Sequence, residues 1–266
     1  MVLARADLES LLRARQLDRT LTSALPSLDP RDEAAIAPSG VASLDARLGG
    51  GFPRGQVSEL VGPRSSGRTS LVLQMMAEAT GRDERVGLVD ALDMLDVESA
   101  AAAGIDLPWL LWVRGHVVSN PGLCGDLNQR ALEQAIRAFT LILQAGNFGL
   151  VVLDVAEAPV PALRRLPFTT WLRLQRIVEG SQTACVLVGN EPMARSSAGL
   201  TLKLGIRPST GSGRPELVEG RDSGFGIRFR DSLFDGIDTQ ARVIRARARE
   251  HEEAIVAFST IASDCA

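Results

Sequence analysis

The residues with the clearest chemistry form a glycine-rich loop, Gly62 to Thr69, which reads G-P-R-S-S-G-R-T. It resembles the phosphate-binding pattern G-x-x-x-x-G-K-[ST]. In that pattern backbone N–H groups hold phosphate oxygens, a lysine contacts the β and γ phosphates, and a hydroxyl binds Mg²⁺. Arg68 stands at the lysine position. A guanidinium is planar and longer than an ammonium group, so the loop predicts phosphate attraction but argues against efficient hydrolysis.

The segments around this loop have the order that a phosphate-binding loop requires. The apolar run Val57 to Val61 predicts a strand before the loop, and a helical pattern follows it. A second apolar run, Leu150 to Asp154, ends in a carboxylate of the kind that orients Mg²⁺ or its water. We therefore predict Thr69 and Asp154 as ligands of Mg²⁺ if a nucleotide binds. The loop residues predicted to contact the nucleotide are Gly62, Pro63, Arg64, Ser65, Ser66, Gly67, Arg68, Thr69 and Ser70.

The composition excludes several classes of protein. A net charge of −3 argues against a protein that coats nucleic acid by bulk electrostatics, although a local basic stripe is compatible with it. Three scattered cysteines and two histidines support neither a disulfide framework nor a zinc site. The charged amino terminus and the lack of an apolar run of about 18 residues predict a cytoplasmic protein with no export signal and no membrane anchor.

The elements that must position the loop alternate in type along the chain. Short apolar runs separated by helical patterns continue to Gly189, which predicts an α/β fold with a mainly parallel sheet covered by helices on both faces. After Gly199 the runs predict an antiparallel β meander that finishes the core. The predicted strands of this last part are 200–204, 226–229, 241–249 and 254–258.

Two further segments differ in composition from this core. Residues 1–35 predict one short amphipathic helix followed by a proline-rich linker, so the core is assigned to residues 36–266. Within the core, residues 207–221 are rich in Gly, Ser, Pro and charge, which is typical of a low-complexity loop.

The motifs resemble those of the RecA recombinase family in their order and spacing. Ser39 to Thr69 is similar to the start of the RecA ATPase core, and the similarity covers most of the chain after about residue 36. The other matching segments are Val86 to Asp96, Ala103 to Leu111, Asn128 to Asp154 and Asp235 to Arg249. The resemblance implies a RecA-like core and an ATP/Mg²⁺ site.

The departures from the family pattern lie where RecA does its chemistry. The glutamate that activates water in that family matches Leu92, which cannot accept a proton. The aspartate that contacts adenine matches Asp96, but the tyrosine that stacks on the base matches Ser99. The glutamine that senses the γ phosphate matches Asn190. The resemblance thus adds Asp96 and Asn190 to the predicted nucleotide site and leaves that site degenerate.

A basic strand near the end of the chain has two interpretations. Two RecA lysines that reach the nucleotide across the filament interface match Arg247 and Arg249. With Arg245 they fall on one face of a period-two strand, opposite Ile244, Ala246 and Ala248. Either this is a solvated face, or it is a cationic interface for a partner subunit, a nucleotide or DNA.

The remaining losses point to one subfamily. Only Glu191 to Ala198 separates Asn190 from the next predicted strand, which leaves no room for RecA's long DNA-binding loop, and we expect no counterpart of RecA's small carboxy-terminal domain. This pattern resembles the ImuA family. The implied function is a scaffold in SOS-linked, error-prone translesion DNA synthesis with little or no recombinase activity. The implied partners are an ImuB-like protein and a replicative-type polymerase, with RecA, DNA and self-association as further candidates.

Two other functions stay open at this point. One is an active DNA-dependent ATPase or recombinase of the RecA type, in which Asp93 or Glu59 replaces the missing glutamate. The other is an SOS-linked regulatory protein, such as a cell-division inhibitor, that uses no nucleotide.

Overall fold

The computed structural model describes residues 35–116, 125–194, 197–206, 237–246 and 255–260. The predicted amino-terminal helix, the low-complexity loop 207–221, the predicted strand 226–229 and the arginines at 247 and 249 lie outside the described residues. The division of the chain at residue 35 stays a prediction.

The core is an eight-stranded sheet with helices on both faces, which confirms the predicted α/β class. The strands in chain order are β1 (Ile36–Ala37), β2 (Phe52–Pro53), β3 (Val57–Val61), β4 (Val86–Asp90), β5 (Leu110–Arg114), β6 (Leu150–Asp154), β7 (Ala184–Gly189), β8 (Leu200–Ile206), β9 (Ile237–Ala246) and β10 (Ile255–Thr260). The helices are α1 (Ala42–Leu48), α2 (Arg68–Thr80), α3 (Val97–Ala102), α4 (Gly125–Ala145), α5 (Val160–Arg165) and α6 (Phe168–Val178), and a 3₁₀ turn covers Leu107–Trp109.

The strand order of the main sheet is β10-β9-β8-β3-β7-β6-β4-β5, and β1 pairs with β2 separately. The strands from β3 to β7 run parallel to their neighbours, and β9 and β10 are antiparallel. The prediction that the run from Leu200 is antiparallel to its neighbours was wrong on one side. β8 is antiparallel to β9 but parallel to β3, because the connection after β7 crosses β3 before β8 begins.

Two apolar clusters form the core, one on each face of the sheet. On one face α2 contributes Leu71, Met75 and Met76, all almost fully buried. On the other face α4 contributes Phe139 and α6 contributes Trp171. Strands buried from both sides explain the continuous apolar runs of β6 and β7. Within the described part of the chain, no helix has both the length and the apolar character that crossing a bilayer requires.

Candidate phosphate-binding site

The glycine-rich loop connects β3 to α2 at the carboxyl edge of the parallel strands, as the sequence predicted. Ser65 and Gly67 have positive φ angles of 59° and 85°, and Gly67 caps α2. A Cβ atom on Gly67 would lie 2.5 Å from Oγ1 of Thr239 in β9, so only glycine fits there. The unpaired N–H groups at the start of α2 make this loop a natural anion site.

The loop residues divide into a buried base and an exposed rim. The buried residues are Gly62, Ser66, Gly67 and Arg68, whereas Pro63, Arg64, Ser65 and Thr69 are exposed and Ser70 is half-buried. The hydroxyl of Ser66 is buried and has no hydrogen-bond partner among the described residues. Thr69, the predicted Mg²⁺ ligand, is therefore open to solvent at the first turn of α2.

The side chain of Arg68 is almost fully buried and is held by protein atoms. Its Nη1 donates to the carbonyl oxygen of Gly189 at 2.8 Å and to Oδ1 of Asn190 at 2.8 Å. Its Nη2 donates to Oε1 of Glu157 at 3.2 Å. The structure thus joins two of the predicted site residues, Arg68 and Asn190, at the end of β7. A charged group buried to this extent needs such partners, because unpaired burial is costly.

Glu157 is a site residue that sequence reasoning missed. It lies three residues after β6, and its Oε2 accepts a 2.6 Å hydrogen bond from Nε of Arg64 while its Oε1 accepts from Arg68. The loop that leaves β6 and the phosphate loop lie at the same edge of the sheet, where the carboxyl ends of parallel strands meet. The signal available in the sequence was an acidic residue soon after a strand that ends in Asp154.

A pair of aspartates ends the neighbouring strands β4 and β6, at partner positions of the ladder. Oδ1 of Asp154 accepts from the backbone N–H of Ala156 at 2.9 Å. The pKa of Asp154 is raised to about 6, chiefly by burial and also by the nearby Asp90 and Glu157, while the Ala156 hydrogen bond and Arg68 oppose this rise. The run that ends in Asp90 carried the same signal as the run that ends in Asp154, so Asp90 could have been predicted.

Asp90 holds the segment after β4 in place. Its carboxylate accepts from the backbone N–H groups of Leu92 at 3.3 Å and Leu95 at 2.8 Å. Leu92, at the position of the family's catalytic glutamate, packs against the second apolar cluster. The segment is therefore organised around a buried aspartate and an apolar contact, and Leu92 cannot activate water there.

The two carboxylates considered as replacements for the glutamate have other partners. Asp93 makes a bidentate ion pair with Arg114, with oxygen to nitrogen distances of 2.6 and 2.7 Å. This hydrogen-bonded pairing lowers the pKa of Asp93. The Arg114 guanidinium also lies 4.8 Å from the ring centroid of Trp112. Asp93 is thus a structural partner of the edge strand β5.

Glu59 is fully buried in β3 and fixes the connection between β7 and β8. Its Oε1 accepts from the backbone N–H groups of Met193 and Ala194 at 2.6 Å each, and its Oε2 accepts from Oγ1 of Thr201 at 3.0 Å. Three donors satisfy the buried carboxylate. The short segment after Asn190 is therefore bound to the sheet at its described residues.

The predicted adenine contact is used as a helix cap. Asp96 precedes α3 and accepts hydrogen bonds from both the backbone N–H and the hydroxyl of Ser99. These bonds lower the pKa of Asp96. The serine that replaces the family's tyrosine thus bonds to the aspartate, and both side chains are exposed.

Of the predicted basic strand, the structure describes Arg245, which is half-buried in β9 and pairs with Thr201 of β8. A β-bulge interrupts the ladder between Thr201 and Leu202. Ala246 packs against the first apolar cluster with Val243, but Ile244 is 44% exposed. The expectation that Ile244 and Ala246 share one apolar face was wrong, because the bulge shifts the alternation of side chains.

Together the sheet order, the glycine-rich loop before α2 and the aspartates at the ends of β4 and β6 define a P-loop α/β core. The family model for the RecA N-terminal domain matches residues 22–164, just over half of the chain. The chain belongs to the RecA family.

Individual relatives agree with this assignment. RecA of Clavibacter michiganensis subsp. michiganensis is 38% identical over 134 residues, which cover 50% of this chain and 33% of that protein. RecA of Syntrophus aciditrophicus is 34% identical over 148 residues, which cover 55% of this chain and 39% of that protein. The chain thus matches about a third of the length of these curated relatives. The resemblance to the ImuA family stays a prediction.

One solved structure shares the fold. The crystal structure of the RadB recombinase superposes with a TM-score of 0.57 at 20% identity, covering 84% of this chain and 96% of that one. At this identity the likeness concerns the fold alone.

We expect Asp154→Asn to stabilise the protein at pH 8. The pKa is higher in the folded state than the unfolded value of 3.8, so the folded state binds the proton more tightly and stability falls as the pH rises through about 6. With allowance for partial exposure, the gain at pH 8 is about 1–2 kcal/mol, and it shrinks at pH 5. Chemical unfolding in EDTA at both pH values measures it. The exposed control Glu179→Gln should show no such dependence, and an equal effect of Asp154→Asn at both pH values would contradict the assignment.

Glu59→Ala should destabilise the protein by about 3–5 kcal/mol. The change leaves the buried N–H groups of Met193 and Ala194 without their acceptor. The matched control is Glu133→Ala on the exposed face of α4, which should change the free energy of unfolding by less than about 0.5 kcal/mol. Urea unfolding measures both variants. A loss of less than about 1 kcal/mol for Glu59→Ala would show that the buried carboxylate does not hold this connection.

Proposed function

We propose that this chain is a RecA-like accessory protein of DNA repair, of the ImuA kind, which acts as a scaffold in SOS-linked, error-prone translesion synthesis and does not turn over ATP efficiently. The family assignment supplies the connection with DNA repair, because its relatives carry the name RecA. The scaffold role is the part that goes beyond the family.

The observation that carries the proposal is the position of Arg68. In a working loop the lysine at this position is a compact charge that follows the phosphates. Here the guanidinium is almost fully buried, and its Nη1 is fixed by Gly189 and Asn190. Asn190 is also the residue that would sense the γ phosphate. The two groups are bonded to each other and so act as a brace between α2 and β7.

The residues present fit an ATP/Mg²⁺ pair only in part. The backbone of the loop and the exposed Thr69 suit a phosphate and a metal ion, and Asp154 lies at the end of the adjoining strand. ATP with Mg²⁺ would there supply phosphoryl-transfer chemistry. The base-binding side does not fit, because Asp96 caps α3 and Ser99 offers no ring. The carboxylates next to Leu92 in sequence already have partners, since Asp90 accepts from the backbone N–H groups of Leu92 and Leu95 and Asp93 is paired with Arg114.

The same observations weigh against the active ATPase. Of its two substitute carboxylates, Glu59 is fully buried with three donors and Asp93 is paired with Arg114. The connection after Asn190 is bonded to Glu59 at Met193 and Ala194, which weighs against a rearrangement of these two residues on DNA binding. What favours the scaffold is a RecA-like core that is well packed in its described residues and uses the predicted reacting positions for structure.

The proposed partners follow from the resemblance. They are an ImuB-like protein and a replicative-type polymerase, with RecA, DNA and a second copy of this chain as additional partners. Of the three arginines proposed to form a basic interface, Arg245 in β9 is the one that the structure describes. The arginines at 247 and 249 are the other two proposed members.

ATP turnover tests this function directly. We expect the purified full chain to hydrolyse ATP more slowly than about 0.01 per second, with and without single-stranded DNA, which is far below the ordinary enzyme range. A RecA with lysine in its loop serves as the positive control under the same conditions. DNA-stimulated turnover near one per second would establish the active ATPase and overturn the scaffold.

A genetic comparison tests the pathway. Deletion of the gene should lower damage-induced mutation while leaving homologous recombination unchanged, and the wild-type chain should restore mutation. Restoration should be equally good with Thr69→Ala, because the scaffold does not need the metal-binding hydroxyl. If recombination fell in the deletion strain, or if Thr69→Ala failed to complement although it folds, nucleotide chemistry would be required.

A further inference from the structure

Glu157 bridges two arginines that belong to the same phosphate loop. Its two oxygens are shared, Oε2 with Nε of Arg64 at 2.6 Å and Oε1 with Nη2 of Arg68 at 3.2 Å. These arginines are the third and seventh residues of the eight-residue loop. We call this pair the Arg64–Arg68 clamp. A carboxylate held by two guanidinium groups uses the donors that would hold a phosphate, because guanidinium geometry matches both anions.

The surroundings of the clamp resemble a site for an anion. The loop leads into the 13-residue helix α2, whose first N–H groups and dipole favour negative charge. Within the loop, Ser66 is 1% exposed, and its hydroxyl has no hydrogen-bond partner among the described residues. It faces Gly62, because a Cβ on that glycine would lie 2.7 Å from the hydroxyl oxygen. An unused donor and two cations thus converge on one loop.

We propose that Glu157 is an internal anion that occupies the Arg64–Arg68 clamp in place of a phosphate, and that the clamp binds a phosphate oxyanion when this carboxylate withdraws. The inference rests on the proposed function, since it explains how a loop that does not turn over ATP keeps its charge. The ligand class is an anion with phosphate oxygens, either the end of a free polyphosphate or nucleotide, or the backbone of a nucleic acid.

The two halves of the clamp differ in what they can do when Glu157 leaves. The side chain of Arg64 is 75% exposed, so its ion pair is exchanged with solvent at little cost. The side chain of Arg68 is 7% exposed and stays fixed by Gly189 and Asn190. Without an anion at Nη2, Arg68 would lose its ion pair with Glu157, the one ion pair it makes among the described residues. Departure of Glu157 is therefore coupled to arrival of another anion, and the clamp exchanges one for the other.

The internal carboxylate also sets how strongly an outside anion must bind. A group tethered this close competes at an effective concentration of about millimolar or more. Removing its charge by Glu157→Gln takes away this competitor and one negative charge beside Asp154. Glutamine keeps the length of the side chain and an oxygen that accepts a hydrogen bond. The variant therefore tests the charge of Glu157 with little change in packing.

In the experiment the full chain is titrated with sodium pyrophosphate at constant ionic strength and without Mg²⁺. Calorimetry measures the binding affinity. We expect Glu157→Gln to bind pyrophosphate at least ten times more tightly than the wild type. Adding Arg64→Gln to that variant should remove most of the gain, because it opens the clamp. The matched control is Glu191→Gln, whose carboxylate also lies near an arginine, 3.7 Å from Arg164, and which should leave the affinity unchanged.

Parallel titrations distinguish the sources of the phosphate. If ATP and pyrophosphate gain affinity in Glu157→Gln while a short single-stranded oligonucleotide does not, the clamp holds a terminal phosphate. If the oligonucleotide alone gains, the clamp holds the nucleic-acid backbone. Equal affinities of the wild type and Glu157→Gln for all three ligands would overturn the proposal. This outcome is separate from the failure of the proposed function, which is decided by turnover of the wild type.

A second variant is needed if circular dichroism and thermal unfolding show that Glu157→Gln does not fold. Glu157→Asp keeps the charge, but its side chain is one methylene shorter and cannot reach both arginines. We expect it to bind pyrophosphate more tightly than the wild type by about threefold, which is a fraction of the effect expected for Glu157→Gln. Wild-type affinity in a folded Glu157→Asp protein would overturn the proposal.

Discussion

The buried guanidinium of Arg68 imposes a constraint that the surrounding groups satisfy together. A charge that is out of water requires several partners, and each partner comes from a different part of the sheet edge: the end of β7, the residue after it, and the loop after β6. A lysine has one compact head and would not span these three acceptors. The exchange of lysine for arginine therefore affects more than one side chain, since Arg68 bonds the glycine-rich loop to the end of β7 and to Asn190.

Other charged side chains along this edge of the sheet also hold local structure through their hydrogen bonds. Asp90 holds the segment that carries Leu92, Asp96 caps α3 with the help of Ser99, and Glu59 fixes the connection to β8. Each of these carboxylates accepts at least two hydrogen bonds from nearby donors. Asp154 differs, since among the described groups it accepts from the backbone N–H of Ala156 alone, and burial is the main cause that raises its pKa to about 6. The aspartate that adjoins the loop is thus the least hydrogen-bonded of the four.

The sequence was sufficient for the parts of this structure that depend on local pattern. The runs at β3 and β6 are buried from both sides, and the loop between β3 and α2 has glycines where the backbone needs them, so the core could be predicted. The direction of β8 could not be predicted, because the sequence of a short strand does not show whether its neighbour runs parallel or antiparallel to it. The role of Glu157 was missed for a similar reason: its partners lie 93 and 89 residues away, and no local spacing records them. The bulge that exposes Ile244 has no signal in the alternation of β9.

The contact between Gly67 and Thr239 bears on how a phosphate loop is inherited. The glycine is required by its positive φ and by the β9 side chain against which it packs, and neither requirement involves a ligand. At Gly62 a Cβ atom would meet the carbonyl oxygen of Leu204 in β8, so the first glycine of the loop is held by the sheet as well. Folding alone therefore requires both glycines, whether or not the loop binds a nucleotide. In such a loop the two glycines record how the last strands pack, and their presence by itself is no measure of ATP use.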